Sequence, residues 1–177
     1  MLLMPKRDWQ WEYNETNGVL MVSLGCDMEF LSPYKLKSLI PDAKIKTEFS
    51  VEHAKFYIAL VDRLSKTLSL KDPQIVQIAL NATAAHFLLK PQMPKSWFFD
   101  VSHECVYSDV GKIFQLKTSE HTVSAMVVEA GLQASLMMII SPECRLSESK
   151  VLAQFETIKV MHNRLAPMAI EHKVNVA

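Results

Sequence analysis

The chain has 177 residues with 19 Lys+Arg against 19 Asp+Glu, so it lacks the basic excess of a typical nucleic-acid binder. Nearly half the residues (49%) are apolar and four are glycine, the make-up of a folded protein with a buried core. No apolar run is long enough to span a membrane, and in "MLLMPKRD" the apolar stretch is too short for a signal peptide and its charge follows it. The three widely spaced cysteines, Cys26, Cys105 and Cys144, fit reduced thiols. A cytoplasmic protein is expected.

In chain order, "WQWEYN" alternates, with Trp9, Trp11 and Tyr13 on one face, and reads as a half-buried strand. Asn17-Gly18 is a two-residue hairpin signal, both positions favouring positive φ. "VLMVSL" returns as a second strand, and Gly25 permits a turn into "MEFL". Ser50 can cap a helix whose Ala54, Tyr57, Val61, Leu64 and Leu68 recur at helical spacing. Asp72-Pro73 starts a second helix, Asp as N-cap and Pro in the first turn. This helix is apolar nearly all round, which predicts a core position, and Pro91 ends it.

After Trp97 the period becomes two. "WFFDVS", "CVYSD", "KIFQLK", "TVSAMVVE" and "LQASLMMII" are spaced like antiparallel strands, with Gly111 and Gly131 between them. A last helix is expected over residues 154–165, with Phe155, Ile158, Met161 and Leu165 inward. The tail "EHKVNVA" is expected to fray. The class is α+β. It comprises an N-terminal α/β subdomain of antiparallel hairpins and two helices over residues 1–90, then a C-terminal antiparallel, twisted β-barrel-like subdomain with a final helix over residues 91–177.

Motifs for chemistry are few. Neither GxGxxG nor GxxxxGK[ST] occurs. His103 and Cys105 would share a face of a strand, but two ligands do not make a metal site. Cys26, in a turn, and Cys144, after Pro142, would need a histidine brought near by the fold to act as nucleophiles; free cysteines are more commonly small core fillers. His86, on the apolar helix, reads as a hydrogen-bonded core histidine. No catalytic residue, metal or cofactor is expected.

"LKPQMPKSW", residues 89–97, stands apart. Two prolines stiffen it, so its side chains hold position at low entropic cost. Lys90 and Lys95 resist burial, and Met93 and Trp97 supply apolar area. On composition it is either a domain connector with solvated lysines or a recognition surface for an acidic-apolar partner.

"DWQWEY", "PDA" at 41–43, "LN" at 80–81, "LKPQMPKSW" and "IKVMHNRL" at 158–165 together resemble the ZapC family of cell division proteins of gamma-proteobacteria, in order along almost the whole chain. The stretches at 99–122 and 141–157 diverge. The resemblance implies a non-enzymatic protein that binds the tubulin-like GTPase FtsZ, bundles its filaments laterally, reduces its GTPase activity and stabilises the Z ring at mid-cell. It also implies a pocket in each subdomain, the C-terminal one apolar at its centre with a basic rim. Carried onto this sequence, Lys90, Lys95 and Arg164 form that rim beside Met93 and Trp97, and the N-terminal pocket involves the sheet around Val22 and Phe30 and the helix over residues 51–66. A monomer with FtsZ as its partner, no nucleic acid and no membrane is expected. The competing reading is a small domain whose curled meander holds an apolar ligand.

Overall fold

A strand that buries two tryptophans needs helices over that face, and the computed structural model, which describes residues 2–168, supplies two. The chain packs as two units, residues up to Asp62 with Lys71–Pro91, and Arg63–Leu70 with the chain from Gln92 onward. The class is α+β, with antiparallel sheets in both units.

In the first unit β1 (Gln10–Asn14), β2 (Val19–Ser23), β3 (Glu29–Leu31) and β4 (Thr47–Glu48) form a sheet in the order β3-β2-β1-β4. The register sets Trp11 opposite Val22; Trp9, Trp11, Leu20 and Val22 are buried. Phe49 stacks on Trp11 and meets Trp9 edge-on, both at 5.2 Å between ring centroids. The first hairpin closes through four residues, 15–18, rather than the expected two. Gly18 alone there has positive φ (68°), because the Asn14 side chain accepts the Asn17 N–H at 2.8 Å and widens the loop. At the second turn Gly25, Cys26 and Asp27 all take positive φ, and a Cβ on Gly25 would overlap the Asp8 carboxylate.

Helix α1 (Val51–Thr67) begins with a reciprocal cap. Ser50 Oγ accepts the His53 N–H and His53 Nδ1 accepts the Ser50 N–H, each at 3.1 Å. Helix α2 (Asp72–Leu88) is buried at ten positions, as its all-round apolar pattern implies. Its cap falls one residue earlier than expected. Gln74 Oε1 takes the Lys71 N–H at 3.1 Å, leaving Asp72 in the first turn, where its charge complements the helix N-terminus.

The second unit holds β5 (Ile113–Lys117), β6 (Thr122–Ala130), β7 (Ala134–Ile139), β8 (Glu143–Arg145), β9 (Val151–Ala153), β10 (Thr157–Met161) and β11 (Ala166–Pro167). Five make one antiparallel sheet, β10-β7-β6-β5-β11, and β8-β9 is a separate hairpin. The outer strands β10 and β11 do not pair with each other, so the barrel-like expectation reduces to an open sheet. Phe114, Leu116, Val127, Met137, Ile139, Ile158 and Val160 fill its core with Phe99, Cys144 and Leu165.

Three expectations fail here. No strand forms over "WFFDVS" or "CVYSD". Ser96–Phe98 is a 3-10 turn, and the chain beyond it makes single ties, Asp100 N–H to Lys117 O and Ser102 N–H to Asn163 O, both 2.7 Å, instead of a ladder. His103 and Cys105 therefore lie exposed on irregular chain, where the shared-face argument does not apply. The last helix is absent as well. A turn with Phe155 at φ 72°, then β10 and a 3-10 turn at His162–Arg164, occupy its place. Phe155, Ile158 and Leu165 are buried as expected, but so is Val160, and Thr157, Ile158 and Val160 favour the extended chain that pairing with β7 offers. The tail "EHKVNVA" lies outside the described residues. Among those residues no helix is long and apolar enough to cross a membrane.

Candidate functional site

The connector "LKPQMPKSW" owes its place to a few specific bonds. In the second unit Lys95 N–H donates to Lys159 O, Gln92 Nε2 to Thr157 Oγ1 and Met161 N–H to Ser96 Oγ, each at 2.8 Å. Residues 92–96 thus lie along the outer edge of β10, and two of the five stretches that carried the family resemblance are neighbours there. Pro91 and Pro94 have no N–H to lose by this arrangement. Met93 and Trp97 stand out from it, 79% and 69% exposed, a conspicuous apolar pair on a charged surface. The Trp97 ring sits 5.5 Å from that of Phe98.

Lys95 does not stand alone. Lys150, from the β8-β9 loop, holds its ammonium 5.5 Å over the Phe98 ring, and the Lys95 charge acts on it. Partial desolvation, then the Lys95 charge and contact, hold the Lys150 pKa below the usual lysine value. Two ammonium groups side by side repel, and a carboxylate between them relieves that repulsion. Phe98 also borders a depression of about 560 Å³, with Leu146, the hydroxyls of Thr118, Ser119 and Ser147, the cation of Arg145 and the carboxylates of Glu120 and Glu148 around it.

The other expected site residues fall differently. Arg164 is half-buried; its Nη1 donates to Phe99 O at 2.5 Å, while Nε is buried with no partner among the described residues. The guanidinium fastens the end of the connector to the 3-10 turn at His162–Arg164. Lys90 belongs to the first unit and is exposed, with its N–H donated to Ser38 O at 2.9 Å. Val22 is fully buried in β2 and faces Phe30, half-buried, across the β2-β3 pair. Val22 is thus a core residue, and Phe30 offers the accessible area.

The remaining candidates are structural in their surroundings. Cys144 is buried, and burial pushes its thiol up to about 11; a neutral thiol is a poor nucleophile. His86 is half-buried and stacks on Phe56 at 4.5 Å. Ser108, Ser135 and His162 form a chain, Oγ to Oγ at 2.5 Å and Ser135 Oγ to His162 Nε2 at 2.8 Å. Ser135 is fully buried in it, which ties the irregular segment to β7. The curled meander of the ligand-binding reading is filled by its own side chains, from Phe114 to Val160.

Lys150 is the residue that sequence reasoning missed. It lies in the divergent stretch 141–157, carries no periodic signal, and reaches Lys95 only because β8 and β9 fold back as a hairpin.

Comparison with known proteins agrees with the resemblance. The N-terminal domain model of cell-division protein ZapC matches residues 2–90 and the C-terminal one matches residues 91–171. Curated relatives named cell division protein ZapC include that of Shewanella oneidensis, 61% identical over 177 residues and covering all of both chains. Another, from Shewanella frigidimarina, is 62% identical over the full length of both. A more distant one, from Aeromonas hydrophila, is 35% identical over 96% of this chain and 95% of its own. With both domain models matched in order and full-length relatives this similar, the chain belongs to the ZapC family of cell division proteins.

Proposed function

We propose that this cell division protein binds FtsZ directly in the cytoplasm at the division site, bundles FtsZ filaments laterally and slows their GTP turnover without chemistry of its own. Lys150 over the Phe98 ring that neighbours Trp97, with the Lys95 charge acting on it and Met93 and Trp97 exposed, is the observation that carries this reading. Cations steer an acidic partner and fix its orientation, and the aromatic and the thioether supply the apolar contact that holds it. Arg164 positions this surface through Phe99 O. Lys90, on the first unit, is proposed as a separate contact, as is the surface around Phe30. Slower turnover follows if binding favours the assembled lattice.

Co-sedimentation with purified FtsZ filaments over a salt series tests the reading. Wild-type protein is expected to pellet with filaments, less so as salt rises, and to lower phosphate release. Lys95→Glu combined with Lys150→Glu is expected to keep the fold, since exposed substitutions cost little, and to leave the pellet. An unchanged binding isotherm for the folded double variant refutes the site. Pelleting with undiminished phosphate release refutes the lattice argument.

A further inference from the structure

The surface at Met93 and Trp97 does not end at its lysines. The Trp97 ring lies 5.5 Å from that of Phe98, and Phe98 borders the depression of about 560 Å³ together with Leu146. An apolar track thus runs from Trp97 through Phe98 to Leu146, all within the second unit. Lys150 holds its ammonium over the Phe98 ring, and the Lys95 charge acts on it. The depression itself carries the opposite sign. Glu120 and Glu148 line it, against Arg145 as the one basic residue among those around it. Both glutamates are exposed. Among the described residues neither forms an ion pair with Arg145 or with any other cation.

Two turns supply these walls, and each is held by its own bonds. In the β5-β6 turn the Thr118 N–H donates to His121 O at 2.8 Å, and Thr118 Oγ1 accepts the N–H groups of Glu120 at 3.4 Å and His121 at 3.1 Å. In the β8-β9 turn the N–H groups of Leu146 and Ser147 both donate to Lys150 O, at 2.9 and 3.1 Å. The backbone that carries Glu120, Glu148 and Lys150 is therefore set before a partner arrives, which lowers the ordering cost of binding. From this layout we infer that the docking surface is polarised. Lys95 and Lys150 take a carboxylate of the partner, the track from Trp97 to Leu146 takes an apolar side chain, and Glu120 and Glu148 take a lysine or arginine. The segment of FtsZ that docks here thus presents an acidic, an apolar and a basic residue in that order. The inference rests on the FtsZ reading of the same surface.

Glu120 and Glu148 then decide specificity. A segment acidic throughout satisfies the lysines but meets the two carboxylates as like charges. The matching segment laid down in reverse sets like charge on like at both ends. Repulsion of this kind rejects wrong partners and fixes orientation. Arg145 offsets one of the two carboxylates at most, so the depression keeps its negative sign.

Co-sedimentation with FtsZ filaments at fixed salt separates this layout from plain attraction. If the lysines merely draw in an acidic filament, Glu120→Lys combined with Glu148→Lys adds positive charge beside them and tightens binding. A polarised surface gives the opposite result. The pair is expected to weaken binding about tenfold, as two modest surface attractions turn repulsive. Glu120→Gln combined with Glu148→Gln is expected to weaken it about threefold, and decides the matter if the charge reversal unfolds the chain. Unchanged melting temperatures identify the folded variants. Glu104→Lys combined with Glu129→Lys, at exposed positions that do not border the depression, is expected to bind at least as well as the wild type. Equal or tighter binding by the folded Glu120 and Glu148 variants overturns the inference, and so does equal weakening by the Glu104 and Glu129 pair. If Lys95→Glu with Lys150→Glu still abolishes pelleting in that case, the FtsZ reading stands without it. A wild type that does not pellet overturns both.

Discussion

His53 joins three elements of the first unit, two through one nitrogen and the third through its ring. Its Nδ1 accepts both the Trp11 Nε1–H and the Ser50 N–H, each at 3.1 Å, and its ring lies 4.6 Å from that of Phe87 on α2. A nitrogen that accepts two N–H groups carries no proton, so the neutral Nε2–H form is the one that fits. Burial lowers the His53 pKa; the charges of Glu52 and Glu48 oppose this and do not prevail. A group whose folded pKa lies below its unfolded value near 6.5 contributes stability that is complete above that value and lost as pH falls. Protonation turns an acceptor of two bonds into a donor facing two donors. His53→Ala removes both bonds at about 1 kcal/mol each and leaves the buried Trp11 N–H unpaired, a total of about 2–3 kcal/mol at neutral pH. His53→Asn restores an acceptor, Oδ1, near the position of Nδ1 and does not titrate. Urea unfolding followed by tryptophan fluorescence at pH 7.5 and pH 5 is the assay. The wild type is expected to lose stability on acidification, the asparagine variant to lose less, and the alanine variant to start low at both values. Equal acid losses for wild type and His53→Asn would refute the assignment.

Other expectations concern the second unit. Ser135→Ala strands Ser108 and His162 and is expected to cost about 1–2 kcal/mol, with faster proteolysis of the irregular segment 100–111 as the local readout. Val160→Ala is expected to cost about 2 kcal/mol and Met161→Ala markedly less, because β10 turns Val160 fully inward and leaves Met161 half-exposed; equal losses in thermal melts would refute that difference in burial. Arg164→Leu leaves the Phe99 carbonyl without its donor and is expected to cost about 1–2 kcal/mol, measured by urea unfolding. Cys144 is expected to resist alkylation in the native state while Cys26 and Cys105 react, a difference that mass spectrometry reads directly.

The elements most legible in the sequence were those with a local cause. Trp9 and Trp11 alternate with polar residues and lie in the core. All four glycines fall at turns, and α2 is buried as its composition requires. Where pairing across the chain decides the outcome, local pattern misled. The 154–165 segment satisfies a helical spacing through Phe155, Ile158 and Leu165, and nothing nearby shows that β7 offers a vacant edge. "WFFDVS" alternates well enough for a strand, yet its amides go to Ser96, Lys117 and Asn163. The connector surface divides in the same way. Met93, Lys95 and Trp97 were readable because prolines and their neighbours mark them; Lys150 was not, since its approach to Lys95 depends on the β8-β9 hairpin. Arg164 was legible as a member of the motif, while its grip on Phe99 O was not.

The seam between the connector and β10 has a further consequence. A five-stranded sheet that does not close presents hydrogen-bonding groups along its outermost strand, a template for another sheet. Here Lys95 and Ser96 occupy part of that strand's outward side, and proline offers an intruder no amide. The chain thereby keeps its own strands from recruiting one another, and the stretch that displays the tryptophan is also the guard against aggregation.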